Sequence, residues 1–403
     1  MTALYPTVHL LARPDVTPSG LTIARTSPAT RMTAFGRVER VPADTLRHDY
    51  DPHTGAYRGW LIEAARRNAL LYSESLTHGL WIARAASVRV ADVPAPDGLS
   101  AAFTLTETAG TAIHTLYQED RSFTAGQTYA LSVFARANGR ERLQLVLPST
   151  AFGAVQSAVF DLTTGTIGFV EGAAIPTLEA LADGWYRCAI TATAATTVTI
   201  APVHLRLRDP GGSSTYAGDG TRGVLLWGVQ LEAGSGATSY IATTSAPAAR
   251  DADRMSLPLA GRAMNPNEGT MLVLGTVPAG QGATLATLHD GTSDTHLALT
   301  RAADGTAGGT LVTGGATRAA LTQGGVDGGA EIRITAAYAP GDLTLAANGS
   351  VPVTDPGGAP PSGLTTLGLG GTATGPTGGR VWVRQVGLFP RRLTDIDLQV
   401  ITA

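Results

Sequence analysis

The run Gly223-Val-Leu-Leu-Trp227-Gly-Val-Gln-Leu-Glu232-Ala-Gly-Ser, continuing to Thr238-Ser-Tyr240-Ile, decides the fold. Strict alternation puts Leu225, Trp227, Val229 and Leu231 on one side, and Leu226, Gly228, Gln230 and Glu232 on the other. The pattern predicts a strand with one buried face and one face free to meet something.

Working outward, similar alternating runs recur from about 69 to 245, at Ala101–Thr106, His114–Glu119, Thr128–Ala135, Arg142–Leu147, Ala158–Asp161, Trp185–Ala192 and Thr197–Leu207. Asn138-Gly139 and Asp183-Gly184 supply hairpin turns between them. Short antiparallel strands at this spacing suit a two-sheet jelly roll better than a barrel or a propeller. A polar, small-residue, proline-bearing stretch at Thr243–Asp253 then reads as a linker, assigned to 246–256. Strand patterns resume over about 257 to 403, among them Gly269–Val277, Ala283–His289, Glu331–Tyr338 and Val381–Leu388, and Thr394 caps a short terminal helix. Residues 1 to 68 form a first unit, with strand-like runs at Leu21–Ile23 and Thr33–Val38 and the reversal Asp49-Tyr-Asp-Pro-His-Thr-Gly55. The expectation is an all-β chain: two consecutive antiparallel sandwiches preceded by a small strand-rich segment.

Composition agrees. The 403 residues include 49 glycines and 23 prolines in a chain that is 43% hydrophobic, which indicates many short strands and turns. A net charge of -3 gives no argument for nucleic acid or an anionic membrane as main partner. Every basic residue that is not histidine is arginine, a bias that a GC-rich genome explains. The single cysteine, Cys188, excludes an intrachain disulfide and a cysteine-based zinc site, and its alternating context predicts a buried thiol. No signal-peptide pattern opens the sequence and no window reaches the ~18 apolar residues of a membrane span. The expectation is a protein made in the bacterial cytoplasm, without membrane insertion, that leaves the cell by a route other than ordinary secretion.

Three phrases carry a family resemblance. "LWGVQLEAGSGATSYIATT", from Leu226, resembles the end of the carbohydrate-binding-module-like jelly roll of bacteriophage receptor-binding and fibre proteins. Arg58-Gly-Trp-Leu-Ile-Glu63 through Asn68 to Tyr72-Ser-Glu74 resembles the lead-in G-L-L-I-E-x-x-x-T-N-L-L-x-Y-S-E of phage tail and fibre proteins, with Arg67 where that pattern has Thr. "EGTMLV" from Glu268, the hairpin Ala336–Val353 with its Asn348-Gly349 turn, and "VGLFPRRLTDIDLQVIT" from Val386 resemble the concanavalin-A-like lectin/glucanase domain. The resemblance implies a fibre or spike on the surface of a phage or gene-transfer-agent-like particle. Its first segment would contact other particle proteins, and the particle would carry it as a homo-oligomer. It also implies a structural Ca2+, for which Asp209, Asp219 or Glu232 offer oxygens, though plain turn acids read the same way.

Catalytic signatures are missing. Glycoside hydrolysis needs two carboxyls about 5–9.5 Å apart, and the Glu-x-Asp-x-x-Glu string of the lectin-like glucanases does not occur. Asp251-x-Asp253 and Asp395-x-Asp397 read as solvated or capping acids. The eight histidines form no His-Glu-x-x-His, no Gly-x-Ser-x-Gly is present, and a chain without lysine has no P-loop. Binding a sugar instead needs an aromatic platform with planar hydrogen-bonding side chains around it. Alternation sends Leu131, Val133, Leu143, Leu145 and Leu147 inward. It leaves Tyr117, Phe134, Arg136, Gln144, Arg206 and Gln230 as candidates for one shared outer face. That set suits a shallow glycan groove, and equally a solvent-facing sheet or an oligomer interface. Trp185 and Trp227 run in phase with the aliphatic face and are expected in the core; Trp60 and Trp382 fit core packing or a subunit contact. The reading is a non-enzymatic adhesin for host capsular or surface polysaccharide, with a capsule depolymerase or a purely structural connector as the alternatives.

Overall fold

The computed structural model describes residues 5–325, 328–357, 360–361, 363–376 and 378–403. The chain is all-β, in two sandwiches. The jelly roll pairs a sheet ordered Ile175–Ala180, Tyr186–Thr193, Thr128–Asn138, Gly223–Ala233, Ala101–Glu107, Ala86–Pro94 with a second ordered Thr166–Glu171, Gln156–Asp161, Arg142–Leu147, Val198–Arg208, Thr115–Phe123, Ile82–Arg84. Leu131, Val133, Leu143, Leu145, Leu205 and Cys188 meet between them, as alternation predicts.

The second sandwich is assembled from both ends of the chain. In one of its sheets Gly269–Thr276 pairs with Arg380–Phe389, which pairs in turn with Tyr57–Glu63 and Val8–Leu11. In the other, Thr22–Ala24 pairs with Arg254–Pro258. Val8, Leu10, Leu46, Trp60 and Ile62 are buried in the same core as Val273, Leu285, Ile334 and Val383. The first 68 residues therefore do not stand apart as their own unit: Val8–Leu11, Thr22–Ala24, His48–Tyr50 and Tyr57–Glu63 complete the C-terminal sandwich, and the jelly roll is inserted between residues 63 and 254. Local alternation reveals strands, whereas the partner of a strand lies hundreds of residues away.

The expected linker is also ordered. Arg66–Asn68, leading into the jelly roll, pairs antiparallel with Ala248–Arg250, leading out of it. Asn68, fully buried, donates to the carbonyls of Val229 and Ile241 and accepts from the amides of Leu70 and Leu231, so all four of its hydrogen-bonding positions are used.

The deciding strand, Gly223–Ala233, departs from its expected phase. Gly228 has φ 62°, and the register against Thr128–Asn138 shifts between Ser132 and Phe134. This bulge adds a residue and reverses the alternation. Val224 and Leu226 face the jelly-roll core before it and Val229 and Leu231 after it, while Leu225 and Trp227 point to the other side. That other side is not free. It packs with Phe134, Trp185, Tyr240 and Val38, the last from the N-terminal hairpin Ala29–Met32/Val38–Val41. Trp185 and Trp227 are buried as expected, but in this smaller layer.

Where the segments converge, charges are buried. Glu63 receives Arg47 at 2.9 Å, Arg250 at 2.9 Å and Arg380 at 3.0 Å, plus the Ser239 amide and hydroxyl at 2.9 and 2.6 Å. Arg47 also pairs with Asp253, which takes Arg25 at 2.7 Å. Asp253 is 2% exposed, so it is a buried ion-pair partner and not a solvated linker acid. Burial opposes the charge on Glu63, and Arg250, Arg47 and Arg380 outweigh it, holding the carboxyl well below its ordinary range. Glu63→Gln leaves these arginines short of a charge. It should lower stability by about 3–5 kcal/mol in urea unfolding and split a single calorimetric transition into two. A loss under about 1 kcal/mol, with one transition retained, would show that the junction does not depend on this carboxylate.

Candidate functional site

The six candidate residues do not share a face. Phe134, Arg136 and Gln230 lie on the jelly-roll sheet covered by the N-terminal hairpin; Tyr117, Gln144 and Arg206 lie on the opposite sheet. Phe134 is 2% exposed between Trp227 and Tyr240. Gln230 is fully buried, donating to Glu232 at 2.7 Å and accepting from the Ile241 amide at 2.7 Å. Both fall beneath the Ser239–Ala242 segment and the N-terminal hairpin, a covering that alternation cannot foresee. Arg136 is half-buried at the far end of its strand, lining a shallow hollow with Arg37, Pro94 and Asp183.

The other three do come together. His204-Leu-Arg206-Leu-Arg208 alternates, with Leu205 and Leu207 in the core and the polar residues outside. Register sets Tyr117 opposite His204 and Gln144 opposite Arg206. The Tyr117 and His204 rings lie 4.9 Å apart, tilted by 35°, both half-buried. A polar ladder crosses the neighbouring strands. Arg208 donates to Gln144 at 3.0 Å, Gln144 to Ser157 at 2.8 Å, and Ser157 to Glu171 at 3.0 Å. Gln144 is 1% exposed, with its amide nitrogen bonded to Ser157 and its oxygen to Arg208, so it positions Arg208 and does not itself reach a ligand. Arg206 is half-buried and has no hydrogen-bond or ion-pair partner among the described residues, leaving its fork available. At the edge, Phe169 stands 64% exposed two residues before Glu171, where the register of its strand is irregular. From Tyr117 to Glu171 the face spans four strand spacings, ~19 Å.

His204, Arg208, Ser157, Glu171 and Phe169 were not singled out from sequence. The His-x-Arg-x-Arg alternation was a readable signal, because Arg206 was already placed outward. The ladder was not, since it depends on sheet order.

The metal candidates are separate from one another and already hold hydrogen bonds within the protein. Asp209 accepts from the Ser213 amide at 2.5 Å. Asp219 accepts from the Thr221 amide and hydroxyl, each at 2.8 Å, and pairs with Arg222 at 2.9 Å. Glu232 accepts from the Thr238 amide and hydroxyl at 2.7 and 2.6 Å, and from Gln230. Among the described residues no three His, Cys, Asp or Glu side chains gather as a cation would need. These donors do not fit a calcium site. Among the described residues no helix is long and apolar enough to cross a membrane.

Burial, and then the charge of Arg206, push the His204 pKa down to about 4. A folded value below the unfolded ~6.5 means that the unfolded chain binds the proton first. Stability is therefore full above ~6.5 and falls as pH drops toward 4, by about 3 kcal/mol at most. His204→Gln should flatten that part of the stability-versus-pH curve in urea titrations at pH 7, 5.5 and 4. An unchanged slope would mean that His204 is protonated like a free imidazole.

No protein-family model matches the sequence, and no curated protein matches it. Several solved structures are similar to part of the chain. The CBM40 domain of the Ruminococcus gnavus IT-sialidase, bound to α2,3-sialyllactose, is 21% identical over 34% of this chain and 84% of that one, with a TM-score of 0.30. The binding domain of botulinum neurotoxin serotype D is 11% identical over 37% of this chain and 40% of that one, at a TM-score of 0.29. That of serotype G is 10% identical over the same shares, at 0.31. Likeness at this level carries no argument about what the present chain binds.

Proposed function

We propose that this protein is a non-enzymatic adhesin that binds host capsular or surface polysaccharide as a fibre or spike of a phage or gene-transfer-agent-like particle. The observation that carries the binding reading is the outer jelly-roll face, where the Tyr117–His204 ring pair lies beside Arg206, which has no hydrogen-bond or ion-pair partner among the described residues. A pyranose offers an apolar face to an aromatic ring and hydroxyls to a guanidinium fork. Arg208 is held in place by Gln144, so part of the polar rim is set before ligand arrives, which lowers the entropy lost on binding. The particle assignment rests on the phrases at 58–74 and 226–244 in the sequence.

Each such face is weak, and repetition over a homo-oligomer and over many copies on one particle makes attachment strong. Contacts with other particle proteins through residues 1–68 would use exposed turns such as that of Phe35, 82% exposed, because the strands of this segment are committed to the C-terminal sandwich or to the hairpin packed on the jelly roll.

The test is binding of purified protein to encapsulated cells and to an isogenic capsule-free strain, with reducing ends assayed in the same supernatants. The expected result is capsule-dependent binding without released sugar, weakened ~10-fold by Tyr117→Ala and again by Arg206→Ala. Released sugar would replace the adhesin with a depolymerase. Equal or absent binding on both strains would leave a structural connector.

A further inference from the structure

A cleft of about 310 Å3 opens between the sandwiches, away from the Tyr117 face. One wall is the outer side of the Ile175–Ala180 and Tyr186–Thr193 strands; the other is the 276–281 turn with Arg380 and Trp382. Three arginines line it: Arg58, Arg187 and Arg380.

Two of them are neutralised. Arg58 pairs with Glu179 at 2.7 Å and Asp51 at 2.8 Å, and Arg380 pairs with Glu63 at 3.0 Å. Arg187 is different. It is 8% exposed, yet among the described residues no carboxylate oxygen lies within 4.0 Å of its nitrogens. Among the described residues its one hydrogen bond is a long one, 3.3 Å from Nη2 to the Ser132 hydroxyl, and its Nε has no partner. The guanidinium rests 5.2 Å from the centroid of the Phe134 ring. Glu232, Glu179 and Glu63 attract it only from longer range; burial, and then Arg380, push its pKa down to about 10, so it is still cationic at neutral pH. A buried guanidinium without a counter-ion costs several kcal/mol, and planar donors left open match a carboxylate in two-pronged fashion.

The remaining lining fits a sugar ring. Leu178, Ala189 and Pro278 are apolar, while Thr177, Thr191 and Gln281 offer hydroxyl and amide groups. The volume lies at the lower end for small-molecule sites. We propose that this cleft is a second, acidic-sugar site in which Arg187 receives the carboxylate of a uronic-acid-type residue. Only the choice of a sugar as the carrier of the carboxylate rests on the polysaccharide-binding reading; the anion requirement stands on Arg187.

The test is calorimetric titration of the whole protein with glucuronate, glucose and inorganic phosphate, using wild type, Arg187→Met and Tyr117→Ala. Glucuronate should bind wild type and Tyr117→Ala alike, glucose should not bind the cleft, and Arg187→Met should weaken glucuronate at least ~10-fold. The same Arg187→Met chain should melt at a higher temperature than wild type, because an unpaired buried charge is replaced by an apolar side chain of similar length; folding failure cannot then account for lost binding. Glucuronate binding that survives Arg187→Met, or a lowered melting temperature, would overturn the site. Phosphate binding without glucuronate binding would overturn the sugar assignment. Loss of glucuronate binding in Tyr117→Ala alone would move the ligand to the other face. Failure of capsule binding together with intact glucuronate binding would sink the adhesin reading and leave this site standing.

Discussion

Five stretches of chain meet at the carboxylate of Glu63: the N-terminal Arg47, the jelly roll's closing segment at Ser239, the outbound Arg250, the C-terminal Arg380, and Glu63 itself at the end of its own strand. Burying an unpaired carboxylate or guanidinium costs several kcal/mol for each charge. Each charge is therefore acceptable only when all the segments are in place. Apolar contacts would hold the sandwiches together in several relative positions, whereas a fixed set of short, directional bonds admits one. Arginine suits this centre because its rigid fork serves several acceptors at once: Arg47 reaches Glu63, Asp253, Ser239 and the Thr30 carbonyl. The arginine-only composition, which needs no structural explanation as a bias, is here put to structural use.

The sequence was most legible where structure is local. Alternation located the jelly-roll strands, Thr394 caps the terminal helix by accepting from the Asp397 amide, and Asp183-Gly184 and Asn348-Gly349 adopt the paired positive φ angles that their hairpins require. Legibility failed at three kinds of place. At Gly228 a single inserted residue reversed the phase, so a stripe read as continuous from Leu225 to Leu231 belongs to two faces. At Asp253 a polar, linker-like composition concealed an ion pair whose partners lie about two hundred residues earlier. Over residues 5–68 the run at Leu21–Ile23 fell on a strand, but Thr33–Val38 is the turn of the Ala29–Met32/Val38–Val41 hairpin, and neither the strands at Val8–Leu11 and Tyr57–Glu63 nor their sheet was read.

The candidate site shows the same division. Which residues point outward from a strand could be read: Tyr117, Gln144 and Arg206 do so on one sheet, and Phe134 and Gln230 do so on the other. Whether an outward face meets water could not be read, because the lid over Phe134 and Gln230 comes from elsewhere in the chain. The strand that looked most available for a ligand is buried on both sides, and the usable face lies on the sheet behind it.

Arg47 and Arg187 make a controlled comparison within one molecule. Both are arginines, both are almost wholly buried, and both lie near the junction. Arg47 is surrounded by carboxylates that raise its pKa despite burial; Arg187 has no carboxylate in ion-pair contact among the described residues, and burial with a neighbouring cation outweighs the more distant Glu232, Glu179 and Glu63 and lowers its own. Depth alone does not separate a structural charge from a binding one. The partner count does, since a side chain that exists to hold the fold has its counter-ion built in. Arg380 belongs to both settings, bonded to Glu63 on one side and lining the cleft on the other. The shape of the cleft is thus fixed by the same carboxylate that fixes the two sandwiches, and an anion held by Arg187 would sit beside, and strengthen, the contact on which their docking depends.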